Sequence, residues 1–190
     1  YEEFLQRRRE LLASAINSFI EKLDIEEDEE DLGLAGIIET GEDPRHEFKE
    51  TFLWDVYREE PNKELKEEAA KEICAFANSE GGILIIGVED DTREVKGIDR
   101  DLKLMKNGKQ SFEEQLNQVI RDKIGDKFGS IYTEVNFEQI NEETVCVVSV
   151  DPSSDPVYFG EDEKFYVRQG SSSIPLNIGE ATDYIQEHWN

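Results

Sequence analysis

The sequence contains few of the residues that most often build metal or redox sites, since its 190 residues include only two cysteines and two histidines. Cys74 and Cys146 lie far apart, each inside an apolar segment. This placement is typical of small buried thiols in a reducing compartment, so we predict a cytoplasmic location. A structural zinc site is not expected, because cysteine and histidine do not cluster.

Long apolar runs and several familiar catalytic motifs are also missing. No segment approaches the roughly 20 apolar residues that cross a bilayer, so we expect no membrane association through a spanning helix. The sequence lacks the Gly-x-x-x-x-Gly-Lys-Ser/Thr phosphate loop, the Gly-x-Gly-x-x-Gly dinucleotide fingerprint and the Gly-x-Ser-x-Gly nucleophile elbow. These absences argue against an ATPase of the phosphate-loop class, a dinucleotide-binding enzyme and a serine hydrolase.

Positive charge is scarce. The chain carries 46 acidic and 21 basic residues, for a net charge of −25. A surface that binds phosphates without sequence preference is normally basic, so this balance argues against broad attraction to nucleic acid. It leaves open a local basic groove and a site where metal ions offset the carboxylates. Other readings of the acidity are solubility, a salt-adapted host and a basic protein partner.

The pattern along the chain predicts three parts: a helix over residues 1–23, an acidic linker over residues 24–33 and one domain over residues 34–190. Leu5, Leu12, Ile16 and Leu23 share one stripe of the first helix, which makes it amphipathic. The run of acidic residues over 24–31 repels itself and is typical of a solvated spacer. We therefore interpret the first helix as an appendage or a dimerisation arm.

Within residues 34–190, strands and helices follow one another without regular βαβ alternation, which predicts an α+β fold with a single mixed sheet packed against helices. The central unit is a helix over 62–78, a turn at Gly81 and Gly82, and a strand over 83–86 that is apolar on both faces. A capping box at Ser111 and Glu114 predicts the start of a second helix. The remaining predictions are strands over 34–39, 46–51, 131–140, 144–150, 157–159 and 164–168, polar loops over 103–109 and 168–173, and a last helix over 177–189.

Four carboxylates form the first candidate site. Glu42 and Glu47 flank Pro44 where a loop enters a strand, and Glu89 and Asp90 follow the central strand. If the two strands are neighbours, three of these carboxylates meet at one rim of the sheet. Hard cations such as Mg²⁺ or Mn²⁺ prefer such oxygen ligands, and two-metal cleavage of phosphodiesters requires them. In a chain this acidic, a group of solvated surface acids is the alternative.

Cationic and hydroxyl side chains form the second candidate set. Lys49 lies two residues after Glu47, an arrangement in which an ammonium group can steady a phosphate under attack. Arg168 precedes a glycine and the hydroxyls of Ser171 and Ser172, and such a segment can hold a phosphate through its guanidinium, amides and hydroxyls. The alternatives are an exposed strand with alternating charges and a polar turn at a strand end.

Four segments, in this order, resemble the Schlafen-type AlbA-like domain family: HEFKET over 46–51, AFANSEGGILIIGVEDD over 75–91, PVY over 156–158 and FYVRQGSS over 165–172. The resemblance extends from about residue 34 to the C-terminus and implies a compact domain that binds DNA or RNA. Some animal members cleave transfer or ribosomal RNA with three carboxylates and a metal. Glu42 and Glu47 match two of them, and Glu89, followed by Asp90, stands where those members have aspartate.

Two hypotheses of different classes follow. The first is a nucleic-acid-binding domain that acts as an endoribonuclease, with Glu42, Glu47 and either Glu89 or Asp90 holding Mg²⁺ or Mn²⁺. The second is a non-catalytic regulatory module that binds a basic protein or forms a homodimer through its first helix. Salt-dependent binding of RNA separates the two, because only the first requires contacts with phosphates.

Overall fold

The structure is a computed structural model that describes residues 33–189. The chain divides into two compact units, Tyr1–Gly36 and Ile37–Asn190, and the second contains the candidate site. The helix predicted over 1–23 and residues 24–32 of the predicted linker lie outside the described residues.

The described residues form six helices and eight strands. In chain order they are α1 (Gly33–Thr40), β1 (His46–Lys49), β2 (Trp54–Asp55), β3 (Glu60–Pro61), α2 (Glu64–Ala77), β4 (Gly82–Ile86), α3 (Asp99–Lys103), α4 (Lys109–Lys123), α5 (Phe128–Tyr132), β5 (Thr133–Ile140), β6 (Glu143–Val150), β7 (Phe165–Gln169), β8 (Ser172–Leu176) and α6 (Ile178–Trp189).

The main sheet has four strands in the order β1-β4-β6-β5. Strand β1 runs parallel to β4, with His46 opposite Ile83 and Lys49 opposite Ile86. Strand β6 pairs antiparallel with both β4 and β5. The sheet is therefore mixed, and the two apolar runs predicted as strands over 83–86 and 144–150 occupy its interior positions, which confirms the predicted α+β fold.

Helix α2 packs its apolar residues against the sheet. Ala70, Ile73 and Phe76 are fully buried, and they belong to the same core cluster as Phe112 and Leu116 of α4. Cys74 also lies in this core, and its burial raises the pKa of its thiol to about 12. Both cysteines are buried and free, as predicted, so their thiols stay protonated and unreactive at neutral pH.

The turn between α2 and β4 depends on two glycines. Gly81 has a φ of +73°, which glycine adopts without strain. At Gly82, an added Cβ would lie 2.4 Å from two ring carbons of Phe76. Helix and strand can therefore approach this closely only because Gly82 has no side chain.

The C-terminal elements form a second, smaller core. The hairpin β7–β8 and helix α6 bury Phe165, Val167 and Ala181 together. Asn78, at the end of α2, fastens the hairpin to the main domain, because its Nδ2 donates to the carbonyl of Val157 at 2.8 Å and that of Tyr166 at 2.9 Å. The last helix over 177–189 is confirmed with a one-residue difference at its start.

Several local predictions are wrong. The segment over 34–39 is part of helix α1, not a strand. Helix α4 begins at Lys109 with Gly108 as its N-cap, and the hydroxyl of Ser111 accepts the N–H of Asn107 instead of capping the helix. Met105, inside the segment predicted as an exposed loop, is buried. The segment over 168–173 is a tight hairpin between β7 and β8, not a loop.

Candidate functional site

Glu42 lies just before β1 and folds back along it. One of its carboxylate oxygens accepts the N–H of Phe48 at 2.7 Å. Strand β1 is at the edge of the sheet, so its outward N–H groups have no strand partner, and Glu42 satisfies one of them. The carboxylate of Asp43 accepts the amides of Arg45 and His46 at 2.7 and 2.8 Å, which fixes the turn that leads into the strand.

The surroundings of Glu42 change its acidity. Partial burial raises its pKa to about 7; the charges of Glu47 and Asp90 act in the same direction, and the Phe48 N–H opposes them. Glu47 and Asp90 therefore each lie within electrostatic reach of Glu42. At neutral pH, Glu42 exists in both protonation states, so it can release or accept a proton there.

Glu47 is buried between two cations. Lys49 forms an ion pair with one of its carboxylate oxygens, and Nη1 of Arg168 lies 2.8 Å from the other. Burial alone would lower the pKa of Lys49, but the charges of Glu47, Glu72 and Glu42 outweigh that effect and raise it. Lys49 therefore stays charged and paired with Glu47.

Arg168 is the centre of a buried network that joins three parts of the fold. Its side chain is 1% exposed, and its Nη1 lies 2.8 Å from Glu47 of β1 and 2.9 Å from Glu72 of α2. Its Nη2 donates to the carbonyl of Asp43 at 3.0 Å, and its guanidinium lies 4.6 Å from the ring centre of Phe76. This guanidinium thus holds the hairpin, the helix and the edge strand together.

Glu72 is the member of this network that the sequence analysis missed. It is buried on α2, where it pairs with Arg168 and accepts a hydrogen bond from the hydroxyl of Ser173. A signal for it exists in the sequence, because Glu72 lies three residues after Ala69 and four before Phe76, on the apolar stripe of the helix. A charged residue at such a position requires a buried partner.

Glu89 and Asp90, which the sequence offers as alternatives for the third carboxylate, have different surroundings in the turn after β4. Glu89 accepts the hydroxyl of Thr92 at 2.7 Å and lies 3.6 Å from Lys96, and the hydrogen bond from Thr92 is the main cause that lowers its pKa. Asp90 is exposed, and its charge acts on Glu42. Asp90 therefore lies within electrostatic reach of Glu42, whereas Glu89 is engaged by Thr92 and Lys96 within its own turn.

The remaining predicted phosphate contacts lie around the tip of the C-terminal hairpin. Ser171 is in the exposed turn, and Ser172 begins β8 opposite Gln169. Arg168 lies on the same hairpin, but its side chain points into the protein and forms ion pairs with Glu47 and Glu72. A role for Arg168 in phosphate binding stays a prediction that would require these ion pairs to open.

The donor atoms of the cluster suit a hard cation, but their arrangement does not fit one. Among residues 33–189, no group of three or more Asp, Glu, His or Cys side chains is placed to hold a metal ion. Both oxygens of Glu47 are paired with cations, and one oxygen of Glu42 accepts a backbone N–H. The predicted Mg²⁺ or Mn²⁺ site stays a prediction, and we assign no chemical step to it.

The fold and the arrangement of the site define an α+β domain with a mixed sheet whose acidic edge is tied to a C-terminal hairpin. The family model described as Schlafen, AlbA_2 matches residues 42–177, which is more than half of the chain. The chain belongs to the Schlafen AlbA_2 family, as its four sequence segments predicted. This membership supports nucleic-acid binding as its general function.

A solved structure shows the same fold. The crystal structure of the DIP2311 protein from Corynebacterium diphtheriae aligns with a TM-score of 0.53 and 23% identity, over 77% of this chain and 24% of that chain. At this identity the likeness concerns the fold alone. The present chain thus spans about a quarter of that protein's length. In addition, none of the helices over residues 33–189 is long and apolar enough to span a membrane.

Proposed function

We propose that this domain binds nucleic acid. The observation that carries this proposal is the family match over residues 42–177, which includes the acidic edge of the sheet and the C-terminal hairpin. The net charge of −25 requires the binding surface to be local, because the molecule as a whole repels phosphates.

An endoribonuclease activity is our second candidate, and the cluster of Glu42, Glu47 and Asp90 favours it. A carboxyl group with a pKa of about 7, as Glu42 has, is suited to proton transfer at neutral pH. Asp90 is exposed beside it and carries no ion pair within the described part of the chain. The ion pairs of Glu47 would have to open before Mg²⁺ or Mn²⁺ could bind there.

Binding is tested first, by fluorescence anisotropy of labelled single-stranded RNA and DNA at low salt. We expect saturable binding that weakens at least about tenfold between about 50 and 200 mM NaCl, since phosphate contacts release counterions. Absence of binding at about 50 mM NaCl would overturn the proposal and favour the regulatory module that binds a basic protein or a second copy.

Cleavage is tested with transfer RNA, with and without Mn²⁺, across pH 5.5 to 8.5. We expect Asp90→Asn to reduce cleavage about 10²-fold or more and Glu42→Gln to remove the change in rate near pH 7. The matched control is Asp91→Asn, the same change at the next exposed position, and Glu89→Gln tests the other acid. Equal cleavage rates for Asp90→Asn and Asp91→Asn would show that the carboxylate cluster takes no part in cleavage.

A further inference from the structure

The segment from the end of α3 to the first turn of α4 contains lysines and no acidic residue. From Leu102 to Phe112 the sequence contains three lysines and no aspartate or glutamate. Lys103, Lys106 and Lys109 are all exposed. In a chain with more than two acidic residues for each basic one, such a segment stands out from the rest of the surface.

Two further lysines lie beside this segment, at the start of α2. The N–H of Asn62 donates to the carbonyl of Leu53 at 2.7 Å, and the carboxylate of Asp101 on α3 accepts the N–H of Leu53 at 2.8 Å. Asn62, two positions before α2, and Asp101 of α3 therefore both bind Leu53. Lys63 directly precedes α2 and Lys66 lies in its first turn, where the charge of Asp101 acts on Lys66.

Neighbouring charges affect the pKa of Lys66. Burial and the charge of Lys63 lower the pKa of Lys66, and the charge of Asp101 opposes them. Asp101 itself is fully buried and accepts three backbone N–H groups, so its charge is directed into the protein. The charge of Asp101 is thus directed to backbone N–H groups inside the protein, and Lys63 is exposed.

A row of phenyl rings lies between Lys66 of α2 and Lys109 of α4. Nζ of Lys66 lies 5.7 Å from the ring centre of Phe52, and Nζ of Lys109 lies 5.5 Å from that of Phe137. Phe112 stands between the two rings, at 4.7 Å from Phe52 and 5.8 Å from Phe137. Each step is under 6 Å, so Lys66 and Lys109 lie over the two ends of one short aromatic row.

None of these five lysines forms an ion pair within residues 33–189, whereas Lys49, Lys71, Lys96 and Lys123 all do. Lys66 donates instead to the side-chain amide of Gln115, a neutral group. Ammonium groups that have no ion pair on a strongly acidic protein carry a charge that a polyanion can neutralise. We call this set the lysine surface; it consists of Lys63, Lys66, Lys103, Lys106 and Lys109.

We propose that the lysine surface binds the phosphodiester backbone of nucleic acid. This inference rests on the proposed function and locates it on α2, α3 and α4, away from the buried guanidinium of Arg168. Lysine is a point charge without the planar fork that reads bases, and Phe52 and Phe112 are buried beneath it, so no ring is free to stack on a base. The surface therefore selects for charge and spacing along the strand, not for sequence.

The test compares two triple variants of equal charge by anisotropy with labelled single-stranded RNA. The first is Lys103→Glu, Lys106→Glu and Lys109→Glu. The control is Arg121→Glu, Lys127→Glu and Lys164→Glu, three exposed cations that also form no ion pair within the described residues. We expect the first triple to lower affinity at least about tenfold and to reduce the salt slope by about 2, which corresponds to three lost phosphate contacts. The control should keep the slope of the natural protein.

Each outcome decides between the two proposals. If the natural protein binds RNA and both triples bind alike, the lysine surface is wrong and nucleic-acid binding stands. If the natural protein shows no binding at low salt, the proposed function fails, and this inference fails with it. Binding of the natural protein to phosphatidylserine vesicles is measured as well. If the first triple variant lost that binding but bound RNA as the natural protein does, the lysine surface would be a membrane contact, and the proposal that it binds nucleic acid would be overturned. Single changes to glutamine at Lys106 and Lys109, which keep the fold, must each weaken RNA binding in the same direction.

Discussion

At the scale of single residues, Arg168 shows what the sequence can and cannot reveal. A guanidinium followed by glycine and serines is typical of phosphate contacts, yet in the fold it is buried against two carboxylates. Its partner Glu47 is 121 positions away in the sequence. No local pattern connects residues so far apart, so only the pairing of hairpin, helix and edge strand identifies this ion pair.

Replacing Arg168 with glutamine should destabilise the domain by about 3–5 kcal/mol, because Glu47 and Glu72 would remain buried without a cation. The free energy of unfolding is measured by urea denaturation at neutral pH. The matched control is Arg58→Gln, since Arg58 is 65% exposed and lies 3.7 Å from Asp55. Such a surface pair contributes under about 1 kcal/mol. Similar losses for the two variants would show that the Arg168 network is not a buried structural contact.

Some of the candidate acids could be predicted from the sequence. Glu42 and Glu47 were found through their spacing around Pro44, and the structure places them within electrostatic reach of each other. The choice between Glu89 and Asp90 could not be made from the sequence, because it depends on a hydrogen bond from Thr92 inside the turn. Glu72 was missed because its helix was read for its apolar residues alone.

At the scale of elements, the interior strands and the long helices were predictable because burial imposes a pattern on them. Strands β4 and β6 are apolar runs, and α2 and α4 have apolar residues every three or four positions. The prediction of a strand at α1 was wrong because it overlooked the i, i+3, i+4 spacing of Leu34, Ile37 and Ile38, which is that of a helix. Helix α4 starts two residues before Ser111 because Gly108, with a φ of 54°, already ends the preceding loop.

The contact between α2 and β4 gives a prediction at this scale. Gly82→Ala should destabilise the domain by about 1–3 kcal/mol, because the new Cβ would lie 2.4 Å from the Phe76 ring and 2.6 Å from the Arg45 carbonyl. The measurement is the thermal midpoint by circular dichroism. Gly179→Ala is the control, since its Cβ would meet its nearest neighbour at 3.4 Å in helix α6 and alanine favours helices. A midpoint for Gly82→Ala equal to that of the natural protein would contradict the close approach.

At the scale of the whole molecule, the dominant property is the net charge of −25, since the chain has 46 acidic and 21 basic residues. Such an excess destabilises a compact state, because folding brings like charges together. The best-paired cations, Lys49 and Arg168, are buried or half-buried, so salt screens their ion pairs less than it screens exposed acids. Repulsion between exposed carboxylates is therefore the electrostatic contribution to stability that salt should change most.

Raising NaCl from about 20 to 500 mM at pH 7.5 should accordingly stabilise the protein. If screening contributes about 1–2 kcal/mol, the melting temperature of a chain of this length rises by roughly 2–8 °C. Near the isoelectric point of about 4.3 the net charge vanishes, so the same salt step at pH 4.5 should shift the melting temperature much less. Sucrose of matched osmolality controls for exclusion of solutes from the surface. A melting temperature that falls with salt at pH 7.5 would mean that the ion pairs outweigh the repulsion, because attraction is then the interaction that screening removes.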